Sequence, residues 1–83
     1  RKVLLDMRKA CADKHSVEID YYTAHTGQSS TRIIDPYEIV EHKGAWYAVA
    51  WCHKRKEVRK FALHRIRKHQ ILKETFSLIV GFD

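Results

Sequence analysis

The stretch that decides the fold is Trp46–Arg65, WYAVAWCHKRKEVRKFALHR. Trp46–Trp51 carries aromatic residues and valine, which strands favour, and Val58–Leu63 alternates after a basic connection. Two apolar segments joined in this way predict a β-hairpin with cations at its tip. Because side chains of a strand alternate between its two faces, Arg59 is predicted to share a face with Phe61.

An arginine that points towards a core needs a partner, because burying an unpaired guanidinium costs several kcal/mol. The sequence leaves two candidates for Arg59: a nearby acid, of which Glu57 is the closest in sequence, or a bound ligand. The same alternation places Trp46 and Trp51 on opposite faces of one strand. One tryptophan is therefore predicted in the core, and the other under the helix, a neighbouring domain or a dimer partner.

The residues before this hairpin predict a helix and two strands. Apolar residues at helical spacing indicate an amphipathic helix that ends near Lys14; they are Val3, Leu4, Met7, Ala10 and Cys11. Val17–Tyr22 alternates apolar and polar residues and predicts a half-buried strand. Thr31–Glu41 predicts a second strand that Pro36 interrupts, which requires either a sheet edge or a bulge. Gly44 then supplies a tight turn.

The remaining pattern predicts the fold class. After Leu63 the chain changes register, and a last strand begins at Ile66 or Ile71. Five short strands spaced by about ten residues favour a small antiparallel barrel, mainly β with one N-terminal helix. We expect this domain to occupy residues 1–76, with residues 77–83 as the start of a truncated C-terminal extension.

Composition limits the kinds of protein and partner. A chain of 83 residues with a net charge of +6 predicts one small domain, whose limited core favours a partner domain or a homodimer. The positive charge favours anionic partners such as nucleic acid. No apolar run has the length of a membrane span, so no membrane association is predicted. Cys11 and Cys52 show no paired spacing and are predicted to be reduced, as in a cytosolic protein.

The chemistry-bearing residues favour a binding module over an enzyme. The six histidines lack the spacing of compact zinc sites, so we expect neither a metal nor another cofactor. Cys52 and His53 are adjacent in a strand and point to opposite faces, which disfavours a nucleophile and base pair. Paired carboxylates, a glycine-rich phosphate loop and a Ser-His-Asp order are all missing from the sequence.

One basic and aromatic group of residues does indicate a binding site. Alternation places Tyr47 and His53 on one face of the central strand, with Arg59 on its neighbour. Arg55 and Arg65 lie at the adjacent turns. Guanidinium groups beside an aromatic ring bind phosphates and stack on bases, so these five residues form the predicted site for an anionic ligand. For the run at residues 54–56, the alternative is an ordinary solvated hairpin tip.

Several of these motifs together resemble the WYL domain. The matching segments occur in order along the chain: Asp35-Pro36-Tyr37, Lys43-Gly44, Trp46-Tyr47, Trp51-Cys52-His53, Arg59-x-Phe61 and Arg65-Ile66. The resemblance extends roughly from Leu4 to Phe76. This chain departs from the family pattern at Ala48, where the family has leucine, and at His64, where the family usually has an acid.

The resemblance implies an SH3-like or Sm-like barrel in a bacterial, cytoplasmic transcriptional regulator. It implies a winged helix-turn-helix domain before the barrel and a further small domain after it. It also implies an anionic ligand, with single-stranded DNA or another nucleic-acid-derived molecule as the leading candidate, at Tyr47, His53, Arg59 and Arg65. The alternative function is structural, namely an Sm-like oligomerisation module that has no ligand of its own.

Overall fold

The computed structural model describes residues 2–78, in which one helix is followed by five strands of a single antiparallel sheet. The helix, α1, is Lys2–Asp13. The strands are β1 (His15–Thr23), β2 (Gln28–His42), β3 (Ala45–Cys52), β4 (Glu57–Ala62) and β5 (Ile66–Thr75), with a 3₁₀ turn at Leu63–Arg65. Their order across the sheet is β4-β3-β2-β1-β5. The predicted mainly β fold with an N-terminal helix is confirmed.

The sheet is strongly curved, but it is not closed. Strands β4 and β5 are its two edges within residues 2–78, so the predicted closed barrel is not confirmed. Two contacts nevertheless join β4 to β1, although β3 and β2 separate them in the sheet. The Tyr21 and Phe61 rings meet edge to face with centroids 5.1 Å apart, and the Ala62 N–H donates to the Tyr21 hydroxyl over 3.0 Å. The SH3-like or Sm-like type of barrel stays a prediction.

Strand β2 bends where the sequence predicted an interruption. Its first half pairs with β1 as far as Ile34 opposite Val17, and its second half pairs with β3. The register with β3 shifts between Pro36 and Glu38, which is a β-bulge. Pro36 lies beyond the last residue of β2 that pairs with β1, where its missing N–H removes no hydrogen bond to that strand. The bend lets one strand belong to both halves of the curved sheet.

The core lies between α1 and the concave face of the sheet, which we call the inner face. Its buried residues come from the helix and four strands: Met7, Ala10, Val17, Ile19, Ile34, Ala48, Ala50, Cys52 and Phe61, together with Leu63 of the 3₁₀ turn. Trp46 packs against this core, and the Arg8 guanidinium of α1 lies 5.0 Å from its ring. Trp51 lies on the opposite face, so the predicted placement of the two tryptophans on opposite faces is confirmed. What covers Trp51 stays a prediction.

The turns follow the local sequence. Lys43 and Gly44 have φ angles of 51° and 82° and join β2 to β3 in two residues. Positive φ at both positions is the geometry that matches the twist of a hairpin, and glycine adopts it without steric cost. The Gly44 N–H also donates to Glu41 Oε2 over 2.7 Å. The predicted tight hairpin is confirmed.

Polar contacts hold α1 to the sheet beside the apolar core. His69 Nε2 on β5 lies 2.8 Å from Asp6 Oδ2 on the helix. This hydrogen bond, helped by Lys2, lowers the pKa of Asp6 below its ordinary value of 3.8. Near the other end of α1, the Cys11 thiol donates to the Tyr37 carbonyl over 3.1 Å, and burial raises the pKa of this thiol. These two hydrogen bonds attach α1 to β5 and to β2.

Two expectations from the sequence concern the cysteines and membrane spans. Both cysteines are free, and Cys52 is buried. No helix within the described residues is long and apolar enough to cross a membrane. Of the predicted C-terminal extension, residues 79–83 lie outside the described part of the chain.

Candidate anionic-ligand site

The register of the sheet does not bring the five predicted residues to one face. Tyr47 and His53 point to the convex side, which we call the outer face. Five residues of extended chain lie between them, which separates them by about 20 Å. Arg59 pairs with Ala50, a core residue, and therefore belongs to the inner face. Alternation along each strand predicts the face of each residue within that strand, whereas the register between β3 and β4 places Arg59 and Tyr47 on opposite faces.

His53 has an acidic partner within the chain. Its Nε2 lies 2.8 Å from Asp35 Oδ1, and the Ser16 hydroxyl donates to the same oxygen over 2.7 Å. Asp35 and Ser16 are 8% and 3% exposed, while the His53 side chain is 46% exposed. Because the carboxylate lies between the serine and the histidine, this is not a serine nucleophile next to its base. The group instead ties the end of β3 to β1 and to the bend of β2.

Arg59 is half exposed and makes an ion pair with its sequence neighbour. Its Nη1 donates to Glu57 Oε2 over 2.7 Å, and the two side chains are 39% and 54% exposed. Of the two partners that the sequence left open, the acid Glu57 is the one observed. A guanidinium has five N–H donors, so one hydrogen bond to Glu57 leaves others for an incoming anion.

Arg55 and Arg65 lie beyond opposite ends of β4. Arg55 is exposed in the four-residue turn between β3 and β4, and Arg65 is half-buried in the 3₁₀ turn. Neither side chain makes an ion pair or hydrogen bond within residues 2–78. Strand β4 has six residues, so these two arginines flank Arg59 along one edge of the sheet. Their contact with a ligand stays a prediction.

Sequence reasoning missed a guanidinium that lies against two aromatic rings, that of Arg32 on β2. This group lies 5.7 Å from the Tyr21 ring and 5.9 Å from the Phe61 ring, and its Nε donates to the Ser30 hydroxyl over 3.2 Å. Arg32 pairs with Ile19, which places it on the inner face. It has no acidic partner among the described residues. Arg32 is two residues from the apolar Ile34, so alternation predicts that both point to the core. The same argument identified Arg59 from Phe61.

These observations define an inner-face cluster made of Tyr21, Ser30, Arg32, Arg59 and Phe61. Its members come from β1, β2 and β4. The curvature of the sheet brings Tyr21 and Arg32 to Phe61, and Arg59 lies two residues from Phe61 on the same face of β4. The cluster offers two guanidinium groups and hydroxyl groups next to aromatic rings. Guanidinium groups bind phosphate oxygens in bidentate geometry, and aromatic or guanidinium planes stack on bases. This combination can bind a phosphorylated, base-containing molecule.

One cleft elsewhere on the domain is less suited to an anion. A cleft of about 470 Å³ is bordered by the start of α1, the β2–β3 turn and the 3₁₀ turn, and its lining is mainly apolar. His64 is its one titratable lining residue, and no arginine contributes. Among residues 2–78, no group of three or more His, Cys, Asp or Glu side chains is arranged to hold a metal ion.

Comparison with known proteins identifies the class of domain. The family model described as the WYL domain matches residues 2–71. The chain therefore belongs to the WYL domain family, as its motifs predicted.

The matched relatives are regulators of transcription. The chain is 34% identical over 68 residues to the DNA-binding transcriptional repressor CapW of Escherichia coli (strain KTE188), which is 82% of this chain and 23% of that protein. It is 33% identical over 76 residues to the uncharacterized HTH-type transcriptional regulator YobV of Bacillus subtilis (strain 168), which is 92% of this chain and 24% of that protein. The chain thus spans about a quarter of the length of these curated relatives.

A solved structure has the same fold. The structure of proteasome accessory factor B/C (PafBC) of Arthrobacter aurescens superposes with a TM-score of 0.85 and 21% identity, over 92% of this chain and 12% of that chain. Together with the family match, the relatives support a regulatory sensing domain.

Proposed function

We propose that this domain senses an anionic ligand for a bacterial transcriptional regulator, and that the ligand is single-stranded nucleic acid or a molecule derived from it. The observation that carries the proposal is the inner-face cluster. Arg32 is positioned by two aromatic rings and a serine hydroxyl, and no acid in the described residues neutralises it. A guanidinium held in this way is pre-organised for an anion from outside the chain.

Arg59 and Arg65 extend the proposed site along β4, in agreement with their positions in the family motif. Arg59 is two residues from Phe61 on the inner face, and Arg65 follows at the 3₁₀ turn. A second and third guanidinium suit a ligand with several phosphates better than a single small anion. Tyr47 and His53 on the outer face, and Arg55 in the β3–β4 turn, remain ligand contacts predicted from the sequence and lie outside the inner-face cluster.

The proposed context follows from the relatives. CapW is named as a DNA-binding repressor and YobV as an HTH-type regulator, and this chain matches about a quarter of each. We infer that the full-length protein carries a winged helix-turn-helix domain outside this segment. In this proposal the protein is cytoplasmic and dimeric, and the domain is a binding module rather than an enzyme. Ligand binding at the cluster then changes DNA binding elsewhere in the protein.

Fluorescence anisotropy with a short labelled single strand tests the proposed site. Arg32→Ala and Arg59→Ala each remove one positive charge, and so do the matched control variants Lys54→Ala and Lys56→Ala on the exposed hairpin tip. We expect each arginine variant to bind about tenfold or more weakly, since a charge-assisted hydrogen bond contributes about 1.5–3 kcal/mol. The lysine variants should change affinity by less than about threefold, because they contribute only diffuse charge.

Two further results bear on the same proposal. Arg32→Lys should also weaken binding, because an ammonium group reproduces neither the bidentate contact nor the stacking of guanidinium. Equal losses in all four alanine variants contradict the proposed site and indicate a general effect of charge. Absence of binding by the wild-type chain to any single strand contradicts the proposed ligand.

The structural alternative has one observation in its favour. Strands β4 and β5 are unpaired edges within residues 2–78, and edges of this kind can add a strand from another molecule. An Sm-like oligomerisation module predicts assembly without ligand. Its assembly need not weaken as salt is added, whereas phosphate contacts make ligand affinity fall steeply with salt.

A further inference from the structure

The outer face of β2, β3 and β4 carries an apolar strip that lies outside the core cluster. The register brings its residues together: Val40 is opposite Tyr47, and Trp51 is opposite Val58, with Val49 between Tyr47 and Trp51 on β3. Helix α1 packs on the other side of the sheet, against the inner face. Val58 is 37% exposed, and the other four side chains are only partly buried.

Two opposite charges flank the middle of this strip. Val49 pairs with Glu38 on one side and with Lys60 on the other, so the row across three strands has a carboxylate, a valine and an ammonium. Both charged residues are exposed, and neither forms an ion pair within residues 2–78. Lys60 Nζ instead lies 5.6 Å from the Tyr47 ring centroid.

We propose that this outer face binds a second copy of the same chain. The two-fold axis of this dimer lies between the two copies and runs parallel to β3. Neighbouring strands are about 4.8 Å apart, so Glu38 and Lys60 lie at equal distances on opposite sides of the axis. Rotation about that axis places Glu38 against the partner's Lys60, and Lys60 against the partner's Glu38. The apolar residues of β3 pack on their own copies. An isologous interface requires this self-complementarity of charge and shape.

The charges also argue against an anionic ligand or a strongly charged protein partner on this face. An anionic ligand meets the Glu38 carboxylate at the centre of the strip. A strip with one acid and one base has no net charge, so it does not select a basic or an acidic partner. In a copy rotated about the two-fold axis, however, each charge faces the opposite charge. The surface therefore differs in chemistry from the arginine-rich inner-face cluster.

Sedimentation equilibrium of the 83-residue chain, without ligand, tests the interface. The wild-type chain is expected to dimerise between micromolar and millimolar concentrations. Val49→Glu, which buries a carboxylate at the axis, should shift the dimer dissociation constant upwards by at least tenfold. Glu38→Lys and Lys60→Glu should each do the same, because each places like charges against one another. The matched controls Lys54→Glu and Glu74→Lys make the same charge changes off this face and should leave the dissociation constant unchanged.

The double variant Glu38→Lys with Lys60→Glu separates this interface from a general effect of charge. It restores opposite charges across the axis, so its dissociation constant should return to within about threefold of the wild-type value. Failure of the double variant to recover, or equal weakening by the control variants, overturns the proposed pairing. A wild-type chain that stays monomeric over the whole concentration range overturns the interface itself. Circular dichroism of each variant checks that the fold is kept.

Discussion

The buried carboxylate of Asp35 allows a prediction with a magnitude. Asp35→Ala removes two hydrogen bonds, from the Ser16 hydroxyl at 2.7 Å and from His53 Nε2 at 2.8 Å. A hydrogen bond to a charged group contributes about 1.5–3 kcal/mol, and an unsatisfied buried hydroxyl costs about 1–3 kcal/mol. Ser16 is 3% exposed and loses its partner, whereas the half-exposed imidazole recovers hydrogen bonds to water. We expect a loss of about 2–4 kcal/mol in the free energy of unfolding.

Urea unfolding followed by tryptophan fluorescence measures this loss. With a slope of about 1–1.5 kcal/mol per molar urea for so small a domain, the midpoint should fall by about 1.3–4 M. His53→Ala is the matched variant, and it should lower the stability by less than about 1 kcal/mol. In a double-mutant cycle, Ser16→Ala and Asp35→Ala should couple by about 0.5–3 kcal/mol. A loss below about 0.5 kcal/mol for Asp35→Ala refutes the reasoning that this carboxylate holds the bend of β2.

Three other predictions concern stability. Asp6→Asn should destabilise the chain above about pH 5, because the folded state lowers the pKa of Asp6 and thereby favours its ionised form. The difference from wild type should shrink as pH falls below about 4, where Asp6 becomes protonated. Urea midpoints between pH 5 and pH 3 measure this difference. Val17→Asp should unfold the domain while Glu18→Lys melts like wild type, since Val17 is fully buried and Glu18 is not; equal melting curves contradict the assigned faces. Gly44→Ala should cost about 1 kcal/mol in the same unfolding assay, because its φ of 82° strains any residue with a Cβ.

Local sequence pattern was sufficient to predict the elements of this fold. The alternation of Val17, Ile19 and Tyr21 identified a half-buried strand, and Pro36 located the bend of β2. Each of these features depends on chemistry within a few residues, such as alternating burial or a missing N–H. Closure of the sheet is different, because it depends on pairing between β4 and β5. Side-chain alternation contains no information on whether two edges meet.

The candidate site could be predicted only in part, for the same reason. Alternation correctly placed Arg59 on the side of Phe61, and the named alternative partner Glu57 is the one observed. The relation of Arg59 to Tyr47 required the register between β3 and β4, which opposes Arg59 to Ala50. Arg32 was missed because its contacts are with rings on β1 and β4, which alternation along β2 alone does not predict. Its position beneath two rings follows from curvature that brings β4 against β1.

The most direct test of the central claim is a map of the ligand on the folded chain. In ¹H–¹⁵N NMR spectra recorded while a short single strand is added, the account predicts that the largest shifts occur at Tyr21, Arg32 and Phe61, with the Arg32 Nε signal among them. Arg32→Ala should abolish these shifts at the same ligand concentration. Shifts confined to Lys54–Lys56, or centred on Val49 and Trp51 of the outer face, contradict the claim that the inner-face cluster is the ligand site.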